Sequence, residues 1–168
     1  NLDETPIPFE YLDGFTWEIR GAKSVSGKSD RSGWNKRQAT LILYVFADGE
    51  FRLRPTIIFH GTPTDDGGQN YEKEQHLYSP DVDVEFNKIA YNNEELFSSW
   101  IDNKLLPLIK DEEEDILLVM DAATFHKTDG IKKKLRDNGI SLALIPPGCT
   151  SLLQPLDTAI NSPFKRWL

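Results

Sequence analysis

Cysteine is almost absent from this chain. Its 168 residues include a single cysteine, Cys149, so both an internal disulfide and a multi-cysteine zinc site are excluded. Because disulfides persist mainly in oxidising compartments, a reducing, intracellular compartment is the natural context for such a sequence. We interpret Cys149 as an ordinary loop residue.

Long hydrophobic runs are also absent. No apolar stretch approaches the roughly 18 residues of a transmembrane helix, and the first residues do not resemble a signal peptide. Gly27-Lys28-Ser29 lacks the upstream glycine of a phosphate-binding P-loop. We therefore expect no membrane partner and no small-molecule cofactor. With 39% hydrophobic and 11% aromatic residues, the chain can fill one core, which predicts a single domain over residues 1–168.

An excess of positive charge is missing as well. The net charge is −8 at pH 7, which is unexpected for a protein that would bind nucleic acid through Lys and Arg contacts to phosphate. The acidity is concentrated in one segment, however. Residues 61–115 carry fifteen acidic and four basic residues, whereas residues 116–168 carry four acidic and seven basic residues. Nucleic acid is therefore not excluded as a partner.

The sequence does contain three aspartates in settings that would direct a carboxylate at a site. Asp121 ends the apolar run 116–120, which predicts a buried strand, and open α/β sheets bind ligands at the carboxyl ends of their strands. Asp157 follows Pro155, which fits the first position of a helix, so Asp157 would lie at the positive end of the helix dipole. Asp3 lies near the beginning of the chain. One such aspartate alone is more often a cap or part of a solvated turn. Three that converge would suit a two-metal site for phosphodiester chemistry, since Mg²⁺ prefers oxygen ligands.

Hydrophobic patterns predict a mixed fold. Strands are expected at 16–20, 39–47 and 51–60, the last two joined by a tight turn at Asp48-Gly49. Residues 81–86 alternate like a short strand. Further strands are expected at 116–121 and 141–145, and helices at 93–106, 129–138 and 155–167. Antiparallel strands followed by parallel βα units indicate an α/β fold with a mixed sheet and helices on its faces.

Three motifs stand in a fixed order along the chain: Asn1-Leu2-Asp3-Glu4-Thr5, Leu117-Leu118-Val119-Met120-Asp121 followed by His126, and Gln154-Pro155-Leu156-Asp157 at the end of the loop 145–157. In these motifs the chain resembles the DDE/D transposase superfamily, specifically its pogo, Tigger and jerky branch. That branch includes centromere protein B and is related to mariner elements. Residues 37–61 resemble the central hairpin of the family.

The resemblance implies that Asp3, Asp121 and Asp157 are the catalytic triad and bind Mg²⁺ or Mn²⁺, as two ions. Thirty-five residues lie between Asp121 and Asp157, within the spacing of this group. The resemblance also implies a ribonuclease H-like fold and an enzyme that cuts DNA at transposon ends and joins the freed 3′ hydroxyl to target DNA. The expected partners are transposon-end DNA, target DNA and a second copy of the chain in a synaptic complex, and the expected location is the nucleus.

The family recognises DNA ends with an amino-terminal helix-turn-helix region that is absent from this sequence. We therefore expect a catalytic domain that is truncated at both ends, with most of the strand that carries Asp3 missing or supplied elsewhere.

Two basic clusters are candidates for DNA contact. The first lies in a Gly/Ser-rich stretch, and the second lies on the helix predicted at 129–138. Basic segments with an aromatic residue suit phosphate contact and base stacking, whereas a solvated loop or helix face is the alternative for both clusters. The candidates are Lys23, Lys28, Arg31, Trp34, Lys36 and Arg37 in the first cluster, and Lys132 and Lys133 in the second.

Two alternatives stay open. His126 could be a neighbour of the metal site, although a histidine just past a strand more often orients a loop. The domain could also be a domesticated, catalytically inactive DNA-binding or chromatin protein. The presence of all three aspartates favours an enzyme, because a binding module has no chemical need for three mutually repelling carboxylates.

Overall fold

The computed structural model describes residues 1–8, 38–61, 75–110 and 115–167. The strands in these residues are β1 Leu2–Pro8, β2 Gln38–Tyr44, β3 Thr56–His60, β4 Asp83–Asn87, β5 Ile116–Asp121 and β6 Ile140–Ile145. The α-helices are α1 Glu94–Trp100, α2 Leu106–Ile109, α3 Asp129–Asp137, α4 Thr150–Leu153 and α5 Asn161–Trp167. Shorter elements are the 3₁₀ turns Gln75–Leu77 and Phe125–Lys127 and the π-helical turns Ile101–Leu105 and Leu156–Ile160.

The strands form two ladders. The first has the order β1-β2-β3-β4, in which β2 is antiparallel to both β1 and β3, while β4 is parallel to β3. The second ladder pairs β5 with β6 in parallel. At the start of β1, the Asn1 side chain donates to the Val119 carbonyl at 2.9 Å, so β1 and β5 lie side by side. The mixed α/β architecture predicted from sequence is confirmed.

Asp3 is the second residue of β1, and this strand pairs with β2 along its full length, from Leu2 opposite Tyr44 to Pro8 opposite Gln38. The sequence had suggested that most of this strand would be missing or supplied elsewhere, whereas seven of its residues are present in this chain. Leu2, Asp3 and Thr5 are its buried residues.

The predicted hairpin is looser than expected. The Asp48-Gly49 turn is present, with Gly49 at φ +81° and its amide bonded to Phe46 at 3.1 Å. The strands do not reach it, however, since β2 ends at Tyr44 and β3 begins at Thr56. Phe51 is 91% exposed, and Pro55 cannot donate to a ladder. The strand predicted at 16–20 lies outside the described residues.

Both long predicted helices contain a π-helical turn. Asn93 caps α1 by accepting from the Leu96 amide at 2.9 Å. The helical path then continues to Ile109, through the π turn Ile101–Leu105. The second π turn, Leu156–Ile160, precedes α5. A proline follows each turn, Pro107 and Pro163. Because proline has no amide hydrogen, it interrupts the regular hydrogen-bond ladder and accounts for the irregular turn before it.

The core lies between the first ladder, β5 and the helices α1 and α3. Thr128 caps α3 by accepting from the Ile131 amide, and Gly139 (φ +72°) follows its end. Among the described residues no helix is both long and apolar enough to cross a membrane. The buried side chains that join these layers are Leu2, Ile42, Ile58, Phe97, Ile101, Met120, Ile131 and Leu135. They fix the positions of the strands that carry Asp3 and Asp121.

Candidate active site

Asp3 and Asp157 are brought together by Asn161. Asp3 is 7% exposed at the start of β1, and Asp157 lies in the first turn of the helical segment after Pro155, as predicted. The Asn161 amide nitrogen donates to Asp3 Oδ2 at 2.6 Å and to Asp157 Oδ1 at 3.2 Å. Two carboxylates from opposite ends of the chain therefore share one hydrogen-bond donor.

Asp121 ends β5, as predicted, and its side chain is 34% exposed. Its Oδ1 accepts hydrogen bonds from His126 Nδ1 at 2.9 Å and from the Ala123 amide at 3.0 Å. The hydrogen bond from His126, with the Ala123 amide, lowers the pKa of Asp121 against the opposing effect of burial. This carboxylate is therefore ionised at neutral pH.

His126 lies between Asp121 and a fourth acidic residue, Glu4. The His126 side chain is fully buried, with its ring 4.9 Å from that of Phe97. Its Nε2 is 3.3 Å from Glu4 Oε1, which also accepts from Asn92 at 2.7 Å. Burial lowers the pKa of His126, but the hydrogen bonds and charges of Asp121 and Glu4 outweigh burial and raise it to about 9. The protonated imidazole donates from both nitrogens and bridges the two carboxylates.

The four carboxylates influence one another electrostatically. The pKa of Asp3 is raised to about 7, first by burial and then by the negative charge of Asp157, with smaller contributions from Glu4 and Asp121. The hydrogen bond from Asn161 opposes this shift without cancelling it. An ionised Asp3 is therefore unfavourable here unless a cation lies beside it.

Two sets of side chains could be considered for a metal ion. Glu4, Asp121 and His126 each place a ligand atom within 4.8 Å of the others, and a metal ion there would have to displace the imidazole proton. Asp3 and Asp157, with Asp121 close enough to raise the pKa of Asp3, offer only oxygen ligands, which suits Mg²⁺ or Mn²⁺. The Asn161 Oδ1 atom is buried without a hydrogen-bond partner among the described residues. The residues around Asp3 and Asp157 therefore fit a hard divalent cation.

Sequence reasoning missed Glu4 and Asn161. Glu4 directly follows Asp3, and successive side chains of a strand point to opposite faces, so nothing in the pattern placed it near Asp121. The signal for Asn161 was its spacing of four residues from Asp157 on a helical segment, which puts both side chains on one face.

The first basic cluster proposed for DNA contact, Lys23, Lys28, Arg31, Trp34, Lys36 and Arg37, lies outside the described residues. Lys132 and Lys133 lie on α3, where Lys132 is partly buried and Lys133 exposed. Their neighbour Lys134 contacts Asp102 Oδ2 at 2.6 Å and Ser98 Oγ at 2.7 Å. Its charge is therefore used to join α3 to the end of α1.

The family model for DDE superfamily endonucleases matches residues 36–167, a range that contains Asp121 and Asp157 and begins after Asp3. No solved structure matches the chain.

Three relatives are named as pogo transposable elements. The human "Pogo transposable element with KRAB domain" is 27% identical over 168 residues, which is 98% of this chain and 25% of the relative. The Mus musculus protein of the same name is 26% identical over 168 residues, which is again 98% of this chain and 25% of the relative. The human "Pogo transposable element with ZNF domain" is 26% identical over 129 residues, covering 76% of this chain and 8% of that protein. The chain thus spans about a quarter of the length of the first two relatives. Together with the family match over most of its length, this similarity shows that the chain belongs to the DDE superfamily endonucleases and is a pogo-like DDE transposase domain.

Proposed function

We propose that this domain cuts and joins DNA strands in a metal-dependent reaction, with Asp3, Asp121 and Asp157 holding two Mg²⁺ or Mn²⁺ ions. The observation that carries the proposal is the pairing of buried Asp3 with Asp157 on one Asn161 amide. Folding alone does not favour burying like charges together. A cation-binding role accounts for their presence.

The residues of the site have separable roles in this proposal. Asp3 and Asp157 face one another across the Asn161 amide, and His126 fixes the orientation of Asp121 by binding its Oδ1. We expect the other oxygen, Oδ2, to meet a cation. When bound, a pair of divalent ions would activate the attacking water or 3′ hydroxyl and stabilise the leaving oxygen. In this proposal β1, β5 and the turn after Pro155 hold Asp3, Asp121 and Asp157 in fixed positions.

A ribonuclease H-like fold belongs to the same proposal. Its support is the position of β1 beside β5, together with the third carboxylate on a helical segment that follows β6. That residues 1–168 form one catalytic domain, truncated at both ends, stays a prediction.

DNA is the partner we propose, because the relatives are named as transposable elements. Transposon ends and target DNA as substrates, a homodimer in a synaptic complex and a nuclear location follow as further proposals. Lys132, Lys133 and the basic residues at 23–37 remain our candidates for phosphate contact.

The test is a plasmid nicking assay. Wild-type protein should convert supercoiled DNA to nicked circles with Mg²⁺ or Mn²⁺, and EDTA should abolish the reaction. Asp157→Asn keeps the size of the side chain but removes a ligand charge, so the nicking rate should fall by at least about 100-fold. Asp137→Asn makes the same change at an exposed position at the end of α3 and should nick like wild type.

Binding is measured on the same plasmid by gel shift. If wild-type protein binds DNA but shows no metal-dependent nicking, or if Asp157→Asn nicks as fast as wild type, the catalytic proposal is wrong. The domesticated, inactive DNA-binding protein would then take its place.

A further inference from the structure

Asn161 occupies an unusual position for a neutral side chain. It is 5% exposed, and its single amide nitrogen lies within hydrogen-bonding distance of carboxylates from both β1 and the π turn before α5. The two acceptors come from Asp3 and Asp157, which are separated by most of the chain. Asn161 therefore connects the two parts of the site directly.

The oxygen of the same amide is not used. Asn161 Oδ1 is buried and has no hydrogen-bond partner among the described residues. A buried acceptor without a partner destabilises a protein by about 1–3 kcal/mol, so packing alone does not explain an asparagine here. An apolar residue of similar size would fill the space without this penalty.

The local backbone explains how Asn161 reaches both acceptors. It is the first residue of α5, and its backbone N–H donates to the Leu156 carbonyl, five residues earlier. The wide π turn thus places Asn161 on the same face as Asp157, and the Asn161 side chain continues toward β1. π-helical turns inside helices occur frequently at functional sites.

From these contacts we infer that Asn161 is a positioning residue that holds Asp3 and Asp157 as a pair, so that one divalent cation can be bound between them. This inference rests on the proposed metal-dependent function. Asn161 donates without adding charge, and so it keeps the two carboxylates close while leaving their negative charge for the cation. Outer partners of this kind typically change metal affinity by about 10–100-fold.

The test is a Mn²⁺ titration of the protein, followed by electron paramagnetic resonance of the free ion and by the rise in unfolding temperature. Asn161→Ala should weaken Mn²⁺ binding by about 10–100-fold. The matched control is Asn103→Ala, another helical asparagine whose amide donates to a side-chain oxygen, Ser99 Oγ at 3.1 Å, but at an exposed position. The control should bind Mn²⁺ like wild type.

A second variant covers the case in which Asn161→Ala does not fold. Asn161→Leu has nearly the same size and fills the space but cannot donate to either carboxylate. It should fold without metal and bind Mn²⁺ about 10–100-fold more weakly than wild type. If Asn161 only filled space, this variant would bind Mn²⁺ like wild type.

The outcomes separate the two proposals. If wild-type protein does not bind Mn²⁺, the proposed function fails and the role of Asn161 fails with it. If wild type binds Mn²⁺ but Asn161→Ala or Asn161→Leu binds it equally well, the proposed function stands and the inference about Asn161 is wrong.

Discussion

Removing the charge of Asp3 should stabilise the metal-free protein. In the fold, the pKa of Asp3 rises from 3.8 to about 7, through burial first and then the charge of Asp157. Each pKa unit corresponds to about 1.4 kcal/mol, so an ionised Asp3 destabilises the fold by about 4 kcal/mol. Asp3→Asn removes this term, and the pKa of about 7 already includes the opposing effect of the hydrogen bond from Asn161. We expect a gain of about 4 kcal/mol at pH 8.

The effect should depend on pH with a definite sign. Because the folded pKa is raised, the folded protein holds the Asp3 proton more tightly than the unfolded chain does. This stabilisation is fully present below pH 3.8 and is lost as the pH rises through about 7. The difference between Asp3→Asn and wild type should therefore be near zero at pH 4, grow up to pH 7 and level off above it.

Thermal unfolding in EDTA, followed by circular dichroism, measures this difference. A gain of about 4 kcal/mol corresponds to a rise of roughly 8–16 °C for a domain of this size. Asp81→Asn, at an exposed position, makes the same substitution and should stay within about 0.5 kcal/mol of wild type. Added Mg²⁺ should raise the unfolding temperature of wild type much more than that of Asp3→Asn. An equal or lower unfolding temperature for Asp3→Asn at pH 8, or a difference that does not change with pH, would refute the reasoning.

Three further predictions concern other parts of the site. The pKa of His126 is raised to about 9, so the stability that the protonated His126 gives the fold is fully present below pH 6.5 and is lost as the pH rises through 9. The unfolding temperature of wild type in EDTA should therefore fall between pH 7 and 9.5, and that of His126→Phe should fall less. Gln154 is fully buried, and neither of its amide atoms has a partner among the described residues, so Gln154→Met should raise the free energy of unfolding by about 1–3 kcal/mol in urea titrations. Loss of stability in that variant would show that the amide is satisfied in solution. If Lys132 and Lys133 bind DNA phosphates, replacing both with glutamine should reduce the magnitude of the slope of log DNA affinity against log salt concentration by about 2. An unchanged slope would show that these lysines do not contact DNA.

The sequence predicted the parts of the fold that depend on local patterns. The apolar run 116–120 and the helical spacing of apolar residues placed β5, α1 and α3 nearly where they lie. The hairpin was predicted too tight, because residues 51–54 alternate in sequence like a strand, whereas Phe51 is exposed and Leu53 is only partly buried against the core. A local sequence pattern does not show whether one side of a strand will be buried in the fold.

The sequence pointed to the three aspartates of the candidate site but not to the residues that contact them from distant parts of the chain. Asn161 contacts Asp3 across 158 residues of sequence, and Glu4 contacts His126 across 122. Contacts of this range depend on how β1 packs beside β5 and α5, and no periodicity in the sequence encodes them. His126 contacts Asp121, which lies only five residues away, and its role beside a metal site stays a prediction.

The most direct test of the central claim is an anomalous difference map from crystals of the protein soaked with Mn²⁺ and a DNA end that carries a 3′ hydroxyl. The account predicts two manganese peaks about 3.5–4 Å apart, in contact with carboxylate oxygens of Asp3, Asp121 and Asp157. A map without peaks at these residues, or with manganese bound only between Glu4 and His126, would contradict it.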